Sequence, residues 1–294
     1  MRDDMQQDFD TLVPGTGSGS RRTALQLMLG AGYAAAAAPV LAQAAIRTPA
    51  EGLVAGTVHI EAQDFQVPAY RAAPAGRTGL PVVLVVQEIF GVHDYIADVC
   101  RRLAHAGYLA IAPELYARHG DPRQYTETAR LMSELVAKVP DAQVLSDLDA
   151  TVRWADVNGG SLDKVGITGF CWGGRIAWLY AAHGPVKAGV AWYGRLVGTS
   201  GSLTPNHPID VAAQLKAPVL GLYGGADSGI PQETVEQMKA ALAKGSAAAQ
   251  GSQFVVYPDA PHAFHADYRP SFRKEAAEDG WRRLLDWFKR HGVA

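Results

Sequence analysis

The run Lys164-Val165-Gly166-Ile167-Thr168-Gly169-Phe170-Cys171-Trp172-Gly173-Gly174 decides the fold. A short β-branched apolar stretch ends at Thr168, a cysteine follows between small residues, and a helical pattern starts at Trp172 and runs to His183. This is the G-x-S-x-G nucleophile elbow with cysteine in place of serine. The sharp turn forces strained dihedrals on the nucleophile and brings neighbouring backbone into near contact, so the flanking positions must be small. The helix N-terminus beneath the turn favours a thiolate and a developing oxyanion.

Working outward, the same alternation of strand and helix repeats. Pro81 to Gln87 is a continuous, mostly β-branched run, the pattern of a strand buried on both faces of a parallel sheet. Tyr108 to Ala112, Ala188 to Trp192, Pro218 to Tyr223 and Gln253 to Tyr257 read the same way. Thr57 to Ile60 and Phe65 to Tyr70 alternate like a hairpin at a sheet edge. Helices are predicted over His93–Ala106, Thr126–Val139, Ala142–Asn158, Trp172–His183, Gln232–Lys244 and Phe272–His291, the last with Trp281, Leu284, Leu285 and Phe288 on its packing face. Gly198–Pro208 and Lys244–Ser252 read as surface loops. The fold class expected is α/β, a single doubly wound, mostly parallel sheet with helices on both faces.

In such a sheet the ligand site lies at the carboxyl ends of the strands. Beyond Tyr223 stands Gly224-Gly225-Ala226-Asp227, an acid in a glycine-rich turn, and beyond Tyr257 stands Pro258-Asp259-Ala260-Pro261-His262, a histidine in a loop. Alone, Asp227 would be a turn former and His262 a solvated loop residue. Nucleophile, acid, histidine, each just past a strand of one sheet, is the triad order of an α/β-hydrolase.

The chain from about Ala55 onward resembles the dienelactone hydrolase family, a Cys-His-Asp branch of that fold. The residues that carry the likeness are Gln87-Glu88-Ile89-Phe90-Gly91, Pro113-Glu114-Leu115-Tyr116-Ala117-Arg118, the Gly169-to-Gly174 elbow, Trp192-Tyr193-Gly194, and the Asp227 and His262 loops. The resemblance implies Cys171 as nucleophile, His262 as general base and then acid, Asp227 as the residue that orients the imidazole, and the amides of Ile89 and Trp172 as the oxyanion hole. It implies that Glu88 faces the thiol and holds it less nucleophilic until substrate arrives, because like charge disfavours the thiolate. It implies that Arg118 pairs with a substrate carboxylate, with Arg269 the nearest match to a second such arginine, and Tyr193 is expected to line the substrate pocket.

The 294 residues carry 27 Lys plus Arg against 29 Asp plus Glu, a net charge of −2 without basic blocks, which disfavours a nucleic-acid partner. Two cysteines and scattered histidines give no disulfide framework and no metal-ligand spacing; His262 and His265 form H-x-x-H without a third ligand. Cys100, on an amphipathic helix, reads as core. No metal or cofactor is expected. At the N-terminus, Arg21-Arg22 precede an alanine-rich apolar run, Leu25 to Leu41, that ends in Ala42-Gln43-Ala44. The pattern is similar to a twin-arginine export signal, with Ala24 where such signals usually carry Phe. Residues 1–44 are therefore expected to be a cleaved signal peptide and residues 45–294 the single α/β-hydrolase domain, periplasmic or secreted and not inserted in the membrane. The expected activity is hydrolysis of a small-molecule ester or lactone, dienelactone-like and carboxylate-bearing, through a Cys171 acyl-thioester. A general carboxylesterase or thioesterase is the alternative within catalysis, since substrate choice rests on loops such as Gly198–Pro208. A non-catalytic exported binding protein of the same fold is the alternative outside it, and would show an eroded triad. Oligomeric state is not legible in the sequence.

Overall fold

The computed structural model describes residues 47–63 and 65–294, so the expected leader and its processing site lie outside the described residues. A hairpin of β1 (Leu53–Ala62) and β2 (Phe65–Pro74) forms one edge of an eight-stranded sheet. It continues with β3 (Leu80–Val86), β4 (Leu109–Pro113), β5 (Gly160–Phe170), β6 (Ala188–Trp192), β7 (Val219–Gly224) and β8 (Gln253–Tyr257), in the spatial order β1-β2-β4-β3-β5-β6-β7-β8. Pairing is parallel from β4 to β8 and antiparallel at β1-β2 and β2-β4. β4 and β6 are buried at every residue and β3 at every residue but Pro81, which is why their sequences are continuous apolar runs rather than alternations.

Helix α1 (Asp94–His105) carries the chain from β3 to β4 in one direction along the sheet. Helices α2 (Thr128–Glu134) and α3 (Asp141–Val157) and then α4 (Trp172–His183) carry it the other way, to β5 and β6. Because such crossovers are right-handed, the reversal places α1 on one face and α3 and α4 on the other. The short α5 (Pro208–Val211), then α6 (Gln232–Leu242), the single-turn α7 (Ala247–Gln250) and the long α8 (Lys274–Arg290) complete the layers. α8 packs so closely that Gly280 lies against the Trp192 ring and Leu222. The reversal between β3 and β5 is the topological switch point, where open α/β sheets place their ligands.

Three elements depart from the sequence reading. The helix expected over Thr126–Val139 stops at Glu134, and a 3-10 turn follows at Val136–Lys138. Val139 is extended because Pro140 excludes the helical conformation before it. β5 begins at Gly160, ahead of its apolar run, and a register shift beside Pro81 and Val82 lets exposed Leu162, Asp163 and Lys164 pass outside the ladder. The Lys244–Ser252 loop contains α7, whose N-terminus Ser246 caps by accepting from the Ala249 amide at 3.1 Å.

Candidate active site

The switch point is assembled by contacts that admit no side chain. A Cβ on Gly169 would stand 2.0 Å from the Gly173 carbonyl oxygen, one on Gly173 would stand 2.4 Å from that of Val86 and 2.5 Å from that of Gln87, and one on Gly174 would meet the Trp192 carbonyl oxygen at 2.5 Å. The elbow is therefore clamped between the ends of β3 and β6. Cys171 caps α4 at φ 56°, ψ −116° and donates its amide to the Trp192 carbonyl at 3.0 Å. Tyr193 (φ 39°) and Ala263 (φ 57°) also occupy the left-handed region, so strained backbone concentrates where the strand ends converge. Such strain costs about 1–3 kcal/mol per residue and persists only where the surroundings impose it.

Asp227 and His262 meet through a second clamp. A Cβ on Gly224 would lie 2.2 Å from the Ala260 carbonyl oxygen, and Gly225 donates to the Tyr257 carbonyl at 2.7 Å, so the acid-bearing turn and the histidine loop are fused. Within it His262 Nδ1 hydrogen-bonds Asp227 Oδ2 at 2.7 Å while the Gly229 amide donates to Oδ1 at 3.0 Å. A carboxylate can only accept, so Nδ1 carries the proton. His262 Nε2 is buried without a hydrogen bond among the described residues, and Cys171 is its electrostatic neighbour. Burial disfavours the imidazolium, yet Asp227 and the Cys171 sulfur outweigh it and hold the His262 pKa well above the ordinary value. The arrangement leaves Nε2 beside the Cys171 sulfur, where it can exchange a proton with a group held there. Tyr193 sets its ring edge-on to His262 at 5.2 Å and is fully buried, so it supports the imidazole from behind and presents no open surface.

Ile89 and Trp172 lie on the two sides of the first clamp. The Trp172 amide, at the first turn of α4, has no partner within its helix, and the Ile89 amide donates to no backbone carbonyl among the described residues. Both are free to meet a developing oxyanion.

Glu88 is buried, and its carboxylate turns to Tyr268, whose hydroxyl donates to Oε2 at 2.7 Å, with His93 Nε2 at 3.4 Å. Burial alone would raise its pKa. Arg269, the hydrogen-bonding His93 and Tyr268 overcome that and hold it at about 2, so Glu88 is a carboxylate at neutral pH. Its side-chain contacts run to these three side chains.

The two arginines part company. Arg118 donates to Asp147 Oδ1 at 2.9 Å and to the Ala62 carbonyl at 2.8 Å and stacks on Phe65 at 4.7 Å, tying the end of the edge hairpin to α3. The structure thus gives Arg118 a scaffold partner in the buried Asp147. Arg269 lies between Phe90 at 4.8 Å and Tyr268 at 5.2 Å, donates Nε to the Tyr268 hydroxyl at 2.9 Å, and feels the charges of Glu88 and Cys171. Its two Nη groups donate no hydrogen bond among the described residues. Tyr268 and His93, which complete this cluster, were not singled out in the sequence, because neither stands at a strand end or at a motif spacing.

Among the described residues no three His, Cys, Asp or Glu side chains gather as metal ligands. Cys100 is buried in α1, where burial pushes its thiol far above the ordinary range.

The model of the dienelactone hydrolase family matches residues 67–292. The chain belongs to the dienelactone hydrolase family. It is 62% identical over 94% of its length, and 94% of the relative's, to a Methylorubrum extorquens protein named "Putative carboxymethylenebutenolidase". An Escherichia coli protein of the same name is 57% identical over 89% of this chain and 96% of its own. A crystal structure described as a "Putative Dienelactone Hydrolase" from Klebsiella pneumoniae superposes with a TM-score of 0.79 at 57% identity, covering 81% of this chain and 99% of that one. The chain is a dienelactone hydrolase-like hydrolase with the α/β-hydrolase sheet.

Proposed function

We propose that the protein opens lactones and cleaves esters that bear a carboxylate, with Cys171 as nucleophile, His262 as base and acid, and Asp227 holding the imidazole. The observation that carries this reading is the 2.7 Å His262–Asp227 bond beside a cysteine strained at the N-terminus of α4. His262 takes the thiol's proton as the sulfur adds to the carbonyl carbon, and the amides of Ile89 and Trp172 receive the oxyanion. The acyl C–O bond then breaks, His262 delivers its proton to the leaving oxygen, and a thioester remains on Cys171. His262 takes a proton from water, the hydroxide adds to the thioester, and the C–S bond breaks to give the free acid and the thiol. The names of the relatives, with a carboxylate-bearing butenolide in them, support this substrate class.

The free Nη groups of Arg269, stacked between two rings, suit the substrate carboxylate. An anion there competes with Glu88 for the arginine. Glu88, losing its main counter-charge in a buried site, then gains proton affinity and sets less negative charge against the thiolate. Glu88 on this reading withholds reactivity until a substrate of the right charge arrives. The Arg21-Arg22 pair and the alanine-rich run ending in Ala42-Gln43-Ala44 support an enzyme that works outside the cytoplasm. Cys171→Ala in the purified protein should abolish turnover of a lactone and aryl-ester panel while the far-ultraviolet spectrum and Tm stay unchanged. Full turnover by that variant overturns the mechanism.

A further inference from the structure

We propose that Arg102, on α1, is a positioning residue for the site: seated on Asp98 at one end and on Asp267 at the other, it fixes the turn that aims Tyr268 at Glu88 and Arg269 into the cleft. The aim of Arg269 at a substrate anion rests on the function proposed above.

The chain from His262 to the start of α8 has no regular secondary structure, yet it supplies His262, His265, Tyr268 and Arg269. Its own hydrogen bonds are local, with the Ala266 amide to the Ala263 carbonyl, the Arg269 amide to the Ala266 carbonyl, and the Phe272 amide to the Arg269 carbonyl. These define turns, and from outside the segment Tyr95 holds the His265 ring at 2.6 Å and Glu88 accepts from the Tyr268 hydroxyl at 2.7 Å, both at side-chain tips. Asp267, buried inside the 266–269 turn, is held from outside by Arg102 Nη2. The same guanidinium donates Nε to Asp98 Oδ2 at 2.6 Å, so one planar fork spans two buried carboxylates separated by 169 residues (267 − 98). Asp98 is immobilised in turn: it accepts from the Thr48 amide at 2.6 Å, the Thr48 hydroxyl at 3.1 Å and Arg101 at 2.8 Å, while Arg101 Nε donates to the Thr48 carbonyl at 2.8 Å. Arg102 also acts electrostatically on Tyr95 and His265, which share a 2.6 Å hydrogen bond beneath the loop.

Buried ion pairs of this kind give little net stability compared with apolar side chains of similar volume. What they give is geometry, because a fork with two fixed anchors permits one register of the turn. A lysine at 102 could reach one carboxylate, not both.

The test compares Arg102→Met, Arg102→Lys, Asp267→Asn and the double variant Arg102→Met with Asp267→Asn in the full chain. For each, kcat and KM are measured on an aryl ester bearing a free carboxylate and on its neutral methyl ester, with backbone hydrogen exchange followed across residues 263–273. The expected result is a rise in KM of about tenfold for the acid ester with kcat within about twofold, little change for the neutral ester, and faster exchange confined to 263–273. Arg102→Lys should not rescue, and the double variant should be no worse than the worse single one. Exchange unchanged in that segment overturns the positioning role whatever the kinetics. Equal losses on both esters with exchange raised throughout the sheet reduce Arg102 to a structural pair and also overturn it. Loosened exchange with no acid selectivity, in protein whose Arg269→Met variant is likewise unselective, upholds the positioning role and faults the substrate assignment instead.

Discussion

Replacing Arg269 by methionine separates recognition of the substrate carboxylate from everything else the site does. The guanidinium spends Nε on Tyr268 at 2.9 Å and keeps both Nη groups free of described protein acceptors between the Phe90 and Tyr268 rings. At an effective dielectric of about 20, a carboxylate about 4 Å away gains roughly 4 kcal/mol of Coulomb energy. Glu88, already charged beside the arginine, cancels part of that, and displacing water from both partners costs more. A net of about 1.5–3 kcal/mol remains, the range of hydrogen bonds to charged groups. Arg269→Met should therefore lower kcat/KM for a carboxylate-bearing ester by roughly 10- to 150-fold relative to its methyl ester. The ratio of the two substrates is the readout, because it cancels any loss of folded protein or of the Cys171–His262 pair that affects both alike. Arg118→Met is the control. It leaves Asp147 buried without that arginine, so it should cost about 3 kcal/mol and lower Tm by roughly 6–12 °C with equal effects on both esters. Equal losses on both esters in Arg269→Met would refute the reasoning. So would an acid-selective loss in Arg118→Met at unchanged Tm, which would return the carboxylate to Arg118.

Other outcomes follow from the same geometry. Glu88 has its pKa lowered from 4.5 to about 2, so its interactions stabilise the fold fully above pH 4.5 and are lost as pH falls through 2, a contribution of about 3 kcal/mol. Between pH 5 and 2 the urea midpoint of Glu88→Gln should fall less steeply than that of the wild type; parallel curves would exclude the linkage. Gly173→Ala puts a methyl 2.4 Å from the Val86 carbonyl oxygen, and the shift of about 0.6 Å needed to reach even a tight 3.0 Å contact separates the Ile89 and Trp172 amides. Turnover should drop at least about a hundredfold, and a variant within threefold of wild type would show that the elbow tolerates the shift. Peptide mapping of the protein from its native host should find Ala45 as the mature N-terminus; intact protein recovered solely from the cytoplasm would rule out export.

Much of the fold, and the convergence of Cys171, Asp227 and His262 at the strand ends, was legible because each signal was local. A strand buried on both faces must be continuously apolar, as in Val82 to Val86, and a residue held at positive φ in a tight strand-to-helix turn must have glycines around it, as Cys171 has Gly169, Gly173 and Gly174. The triad order followed from where the strands end. Which arginine meets Asp147 was not legible, since Arg118 and Arg269 both stand in loops after strands and nothing in the spacing says which. That depends on α3 crossing beneath the end of the edge hairpin, a long-range packing decision. Glu88 was marked by its position, but its partners, Tyr268 and His93, come from a loop 180 residues later and from the N-cap of α1. Sequence determines where backbone chemistry must be special, because backbone constraints act over a few residues. Which charge pairs with which is settled only when the sheet closes and burial makes each unpaired group costly.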